Sequence, residues 1–342
     1  MSERPARPTY SFVLPVMNEE GTLPELHRRL AAVADGLDGE TEFVFVDDGS
    51  DDRSREILLE LRKADPRVRF AALSRNFGHQ LALTAGLDLA SGDAVVIMDS
   101  DLQDPPELIP KLVARWREGY DVVYAVRSRR AGESGFKLRT AHLFYRLMNR
   151  ASDIDLPLDA GDFRLIDRRV VEVVRNMREP DRYLRGMFAW AGFRQTGVEF
   201  DRDARAAGDT KYSLPRLIRF ATDGLISFST VPLRLALALG FAISVFAFLA
   251  GLGAIVLKLA GVYAIPGWAS VTVMLSFFSG VQLLLLGAVG LYVGRIYEQG
   301  KGRPLYLVSE AHGFDRSPAS IASVGAESPT TPRRTSTIPD DD

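Results

Sequence analysis

Apolar and polar positions alternate in blocks along the first part of the chain. Tyr10 to Val16 forms an apolar run with the composition of a buried strand. Leu23, Leu26, Leu30, Val33 and Leu37 then recur at helical spacing, and Phe43 to Val46 is again a short buried run. The same rhythm predicts a helix over 53–64, a strand over 68–73, a helix over 78–90, a strand over 94–98, a helix over 106–118 and a strand over 121–125. Such βαβα alternation implies an α/β domain with a mostly parallel sheet covered on both faces. Ligands of these sheets bind beyond the carboxyl ends of the strands.

The pattern changes toward the C-terminus. Leu235 to Leu257 and Trp268 to Gly294 contain no charged residue. About 20 apolar residues cross a bilayer core as a helix, so both runs qualify as membrane helices of one hairpin. Arg216, Arg219 and Arg234 precede the hairpin and Arg295, Lys301 and Arg303 follow it, whereas its turn carries only Lys258. The positive-inside rule then places both termini in the cytoplasm. Residues 213–230 mix apolar positions with Arg216 and Arg219 at helical spacing, as a juxtamembrane amphipathic helix does. The expected organisation is a cytoplasmic catalytic domain over 1–212, the amphipathic helix over 213–230, and a transmembrane hairpin over 231–296. A cytoplasmic segment over 297–342 follows, rich in Ser, Pro and Thr and expected to be disordered from about 315.

Composition narrows the chemistry. The 342 residues carry 42 Lys+Arg against 44 Asp+Glu, a net charge of −2, which argues against a general nucleic-acid binder. With no cysteine, a disulfide scaffold, a thiol nucleophile and thiolate metal sites are excluded. With four histidines in the chain a His-rich metal centre is not expected either, so any metal should sit on oxygen ligands, which favours Mg²⁺ or Mn²⁺.

Three acidic motifs fall at equivalent strand ends: Asn18-Glu19-Glu20 after the first, Asp47-Asp48-Gly49-Ser50 after the second, and Asp99-Ser100-Asp101-Leu102-Gln103-Asp104 after the fourth. Each alone is an ordinary turn or helix cap. Together they make a converging carboxylate site that is electrostatically costly unless a cation joins it. An Asp-x-Asp turn can aim two oxygens at a divalent ion, and that ion can bridge the oxygens of a diphosphate. No glycine-rich dinucleotide fingerprint follows the first strand, and the chain has no P-loop. A basic stretch, Arg127 to Arg150, holds seven cationic residues against Glu133 alone, and arginine forks suit phosphate oxygens.

Carried by PVMNEE (15–20), VDDGSDDRS (46–54), SRNFGHQ (74–80), DSDLQDPP (99–106), GDFRLIDRR (161–169), DTKYS (209–213) and the hairpin, the chain resembles family-2 glycosyltransferases of the GT-A fold. More narrowly it is similar to the bacterial polyprenyl-phosphate glucosyltransferases, relatives of dolichol-phosphate mannose synthase. The resemblance implies an inverting transfer of glucose from UDP-glucose to polyprenyl phosphate for cell-envelope glycosylation, with GDP-mannose or another nucleotide-sugar as the alternative donor. It implies nucleotide-sugar binding by Pro15, Asn18, Glu19, Asp47, Asp48 and Asp99. The turn carrying Arg75 and Asn76 is expected to frame the same donor. Asp99, Asp101 and Gln103 match the metal and diphosphate site, and Asp162 a catalytic position, as base or as orienting group. Asp162 could instead cap the chain or pair with Arg164. Arg127, Lys137, Arg139 and Lys211 are candidates for the lipid phosphate. The resemblance also implies a multi-pass protein of the bacterial inner membrane and a homo-oligomer, a tetramer among relatives. Gln299 is followed by Gly300, Lys301 and Gly302, so the Gln-x-x-Arg-Trp motif of processive polysaccharide synthases is missing. A non-enzymatic reading, a membrane-tethered nucleotide-sugar sensor or scaffold, leaves the intact Asp99, Asp101 and Asp162 without a purpose.

Overall fold

The computed structural model describes residues 4–127, 160–180, 182–200, parts of 240–260, and 267–314. The chain divides into two compact units: 1–131, 157–208 and 303–342 in the first, 132–156 and 209–302 in the second.

The first unit is a GT-A-like α/β layer built on an eight-stranded sheet. The strands are β1 (Thr9–Val16), β2 (Glu40–Asp47), β3 (Val68–Leu73), β4 (Ala94–Ile97), β5 (Val122–Arg127), β6 (Ala160–Asp167), β7 (Gln195–Phe200) and β8 (Val308–His312), in the order β7-β5-β6-β4-β1-β2-β3-β8. β3, β2, β1 and β4 run parallel, as the alternating pattern predicts. β6 runs antiparallel between β4 and β5, and β8 antiparallel along β3. Every residue of β1 after Thr9 is buried, because a central parallel strand is covered on both faces.

Helices α1 (Leu23–Asp35), α2 (Ser54–Ala64) and α4 (Ile109–Arg117) cover one face. Their buried positions, such as Leu26, Leu30, Leu58, Leu112 and Trp116, meet Phe12, Leu14, Phe43, Phe45 and Phe70. Helices α3 (His79–Leu89), α5 (Arg168–Asn176) and α6 (Leu184–Trp190) cover the other face, over Val13, Val44, Val46, Val95 and Ile97. A Cβ on Gly86 would lie 2.2 Å from Val13 Cγ1, so only glycine lets α3 come this close to the sheet. Met187 and Phe188 are buried in this layer, whereas Trp190 is exposed.

The predicted elements over 9–127 appear within a few residues of their expected limits, with the helix expected over 106–118 opening as a 3₁₀ turn (Pro106–Leu108). The pattern did not announce β6, β7 or β8. β8 is the chain returning to the sheet after the apolar segment. Buried Tyr306 donates its hydroxyl to Asp88 Oδ2 at 2.8 Å, and Glu310 pairs with Arg55.

In the second unit, α7 (Trp268–Gly300) is one uninterrupted helix that continues past the expected limit at Gly294. Its Phe277–Gly300 stretch is long and apolar enough to cross a membrane, the one such helix among the described residues. One candidate span therefore stands among the described residues where the charge-free runs predicted two, and a two-helix hairpin is not shown. The amphipathic segment over 213–230 lies outside the described residues.

Candidate active site at the carboxyl edge of the sheet

The parallel strands end along one edge, and their loops converge there. β6 enters the same edge from the opposite direction. Its register pairs Ile97 with Arg164, and running that antiparallel register two places further sets Asp99 opposite Asp162. Residues far apart in sequence thus meet because one strand of the sheet is reversed.

Loop–loop hydrogen bonds shape the edge. Asn18 takes a left-handed backbone (φ 57°). Its N–H donates to Ser50 Oγ at 3.0 Å, and its Oδ1 accepts from the Asp51 N–H at 2.8 Å. The Glu19 N–H donates to Ser54 Oγ at 2.8 Å. Asp48 accepts from the Phe77 and Gly78 N–H groups at 2.7 and 2.9 Å, which fastens the turn after β3. Gly49 (φ 80°) lies against that turn, where a Cβ would come within 2.8 Å of Asn76 N. Ser100 donates to the Pro15 carbonyl at 2.7 Å. Asp101 Oδ1 accepts from the Gln103 N–H at 3.0 Å, closing a turn in which Leu102 is left-handed (φ 59°). Asn18 and Leu102 are the two non-glycine residues with positive φ among the described ones, and both lie here. Backbone of this kind costs energy and persists where surrounding structure enforces it.

Pro15, Glu19, Asp48, Asn76, Asp99 and Asp101 line one open cleft of about 330 Å³, with Gly78 and His79. Asn18, Arg75 and Gln103 sit on the adjoining loops, Asp47 closes β2 and Asp162 belongs to β6, all outside that lining. Asp47 is buried and accepts from the Ser50 N–H at 3.0 Å. The Arg75 guanidinium lies 4.0 Å from the Phe77 ring centroid. Arg127 closes β5, and Lys137, Arg139 and Lys211 lie outside the described residues.

From the lining residues His79 and Asp99 a set of charged groups continues to Asp162 and Arg185. His79 Nε2 stands 3.5 Å from Asp99 Oδ1 and 3.4 Å from Asp162 Oδ2. Arg185, in α6, grips Asp162 with two bonds, Nε to Oδ1 at 2.7 Å and an Nη to Oδ2 at 2.9 Å. The arginine that pairs with the carboxylate is therefore Arg185. Buried Arg164 instead donates to the Gly161 carbonyl at 2.8 Å and the Asp162 carbonyl at 3.4 Å. Burial alone would raise the Asp162 carboxyl, but the bonds from His79 and Arg185 outweigh it and hold the group far below the usual carboxylate range. On His79, burial disfavours the charge, yet the bond to Asp162 and the negative charge of Asp99 shift the imidazole upward. Asp99 goes the other way from Asp162. Burial first, then the charges of Asp162, Asp104 and Asp101, push it from 3.8 to about 6.

Asp99 Oδ1 is buried and makes no hydrogen bond, its closest cation being His79 at the limit of contact. An unsatisfied carboxylate oxygen among other carboxylates fits a cation, and Asp101 is the next oxygen donor along the same turn. No group of three His, Cys, Asp or Glu side chains is gathered tightly enough to hold a metal by itself among the described residues. A divalent ion here would need further oxygens, and a diphosphate supplies them.

Residues 11–175 match the model of glycosyl transferase family 2. An uncharacterised glycosyltransferase of Bacillus subtilis, YkcC, is 49% identical over 306 residues, covering 90% of this chain and 95% of the relative. The bactoprenol glucosyl transferase of Shigella phage SfII is 39% identical over 302 residues, covering 88% and 98%. Among solved structures, mannosyl-3-phosphoglycerate synthase from Rubrobacter xylanophilus overlaps at a TM-score of 0.47 with 18% identity, over 67% of this chain and 74% of that one. The chain belongs to glycosyl transferase family 2, and its relatives include the polyprenyl-phosphate glucosyltransferase group.

Proposed function

We propose that the protein transfers glucose from UDP-glucose to the phosphate of a polyprenyl phosphate, with inversion at the anomeric carbon. The observation that carries this reading is the meeting of Asp99, Asp101, His79 and Asp162 beyond the ends of the parallel strands, with one Asp99 oxygen left unsatisfied. The glucosyl transferase names of the phage relatives support the sugar and the lipid acceptor.

The donor lies in the cleft between Pro15, Asn18 and Glu19 on one side and Asp47, Asp48, Arg75 and Asn76 on the other. Mg²⁺ or Mn²⁺, held by Asp99, Asp101 and Gln103 together with the diphosphate, would neutralise charge on the leaving group. A lipid-phosphate oxygen forms the new bond to the anomeric carbon as the bond to the diphosphate breaks, and the electron pair departs on UDP. A phosphate monoester has a second pKa of about 6, so its dianion attacks without help from a strong base. Asp162, held ionised by Arg185 and His79, is a poor base and a good anchor for sugar hydroxyls. Arg127, Lys137, Arg139 and Lys211 supply the positive charge for the lipid phosphate.

Membrane attachment follows the charge-free segments. Helices over about 235–257 and 268–294 form a hairpin, with the catalytic domain and both termini on the cytoplasmic side of the bacterial inner membrane. Ala242, Ile243 and Phe246 share an apolar cleft with Met274, Phe277 and Phe278, which supports a helix pair. Hairpin contacts between copies would make the enzyme a homo-oligomer.

The test uses the full-length protein in vesicles containing polyprenyl phosphate, supplied with radiolabelled UDP-glucose and Mn²⁺. Label is expected in the lipid phase, and Asp101→Ala is expected to abolish it in a folded protein. Nucleotide retention without lipid labelling identifies a binding protein and refutes the assignment.

A further inference from the structure

The grip on Asp162 comes from a part of the chain that none of the motifs above contains. Arg185 lies ten residues beyond the stretch matched by the family model, in α6. Its guanidinium engages both carboxylate oxygens of Asp162, at 2.7 and 2.9 Å, in the planar fork that arginine forms and lysine cannot. The helix carrying it is itself fastened. The Leu184 N–H, at the start of α6, donates to Gln80 Oε1 at 3.0 Å. Gln80 is the neighbour of His79, whose ring stands 3.4 Å from Oδ2 of the same carboxylate. Two consecutive side chains of α3 therefore act on Asp162, one directly and one through the helix that bears Arg185. Further down α6, buried Phe188 packs under the Arg164 guanidinium at 5.1 Å, and Arg164 holds the main-chain carbonyls of residues 161 and 162. The backbone and both oxygens of Asp162 are thus constrained from α3, β6 and α6.

We propose that Arg185 is a positioning residue for the transfer reaction: it fixes the direction in which the Asp162 carboxylate is presented to the donor sugar. A carboxylate free to rotate would present its lone pairs to the sugar hydroxyls only part of the time. It would also stand as an uncompensated negative charge before an arriving phosphate. The bidentate clamp removes both penalties without touching substrate. This inference rests on the reading of Asp162 as a sugar-orienting group.

The experiment compares Arg185→Gln, Arg185→Lys, Arg185→Ala, Asp162→Asn and the Arg185→Gln/Asp162→Asn double variant, all full-length in polyprenyl-phosphate vesicles. Arg185→Gln is expected to lower kcat about 100-fold, the scale of a misplaced catalytic group, with the KM for UDP-glucose changed less than about threefold. Arg185→Lys keeps the charge without the fork and falls between. Guanidinium ion at millimolar concentration is expected to restore part of the kcat of Arg185→Ala, a rescue that a purely structural defect would not show. The double variant is expected to be no slower than Asp162→Asn, because residues acting as a unit are not additive. If Arg185→Gln turns over normally while Asp162→Asn is inactive, the clamp is refuted and the reading of Asp162 stands. If Asp162→Asn is itself fully active, that reading fails and the clamp with it. Multiplicative losses in the double variant also overturn the proposal. Should Arg185→Gln not fold, the Lys variant and its double with Asp162→Asn decide by the same criteria.

Discussion

Replacing Asp99 by asparagine should stabilise the metal-free protein while removing its response to metal. Burial and the charges of Asp162, Asp104 and Asp101 raise the Asp99 carboxyl from 3.8 to about 6. A group that binds its proton more tightly when folded favours the native state at low pH. That contribution is complete below about pH 3.8 and is lost as pH rises through about 6. At pH 7.5 the native protein therefore carries an ionised Asp99 in a place that disfavours it. Each tenfold in proton affinity is worth about 1.4 kcal/mol, which sets a ceiling of about 3 kcal/mol on the penalty. The side chain is 37% exposed, so water screens the charge and about 1 kcal/mol is the expected gain. For a domain of this size that raises Tm by about 2–4 °C. The assay is thermal unfolding of the full chain in nanodiscs with EDTA, at pH 7.5 and at pH 4. Asp99→Asn should be the more stable at pH 7.5, and the difference should vanish at pH 4. Adding Mn²⁺ and UDP should reverse the order, since a ligand at 100 times its Kd adds about 2.7 kcal/mol to the form that binds it. A variant less stable than the parent at pH 7.5 in EDTA would refute the reasoning, because Asp99 would then be satisfied without a cation.

Other substitutions test other parts of the structure. Gly49→Ala places a Cβ 2.8 Å from Asn76 N at a φ of 80°, so a loss of about 2 kcal/mol in chemical denaturation and a raised KM for the donor are expected. Tyr306→Phe removes the bond to buried Asp88 and should cost about 1–2 kcal/mol in the same measurement; an unchanged midpoint would contradict the anchoring of the returning chain. Arg127→Ala should raise the KM for polyprenyl phosphate in the vesicle assay and leave that for UDP-glucose unchanged.

The parallel half of the sheet was legible because its strands are buried on both faces and its helices on one, so each element carries its own periodicity. The acidic motifs could be placed at the strand ends for the same reason. Asp48 shows what such reading leaves out. Its residue type suggested a ligand for the nucleotide, and the fold adds a second task, since its oxygens also accept from the Phe77 and Gly78 amides. His79 is similar: one histidine after a turn carries little signal, yet it stands between two carboxylates that arrive on different strands. β7 and β8 are edge strands with mixed burial, and neither shows clean alternation.

What the sequence alone determined is what depends on neighbours along the chain: strand and helix identity, the charge-free segments, and the absence of thiolate chemistry that follows from having no cysteine. What the tertiary structure decided depends on pairing across distance. The reversal of β6 brings Asp162 to Asp99, and α6 carries Arg185 to Asp162. The two carboxyls then move in opposite directions, Asp99 toward neutrality and Asp162 toward a permanent charge. Residue type assigns both the same ordinary carboxylate value. Their difference comes from which charges the fold sets beside each one, since electrostatic shifts act through space and not along the chain.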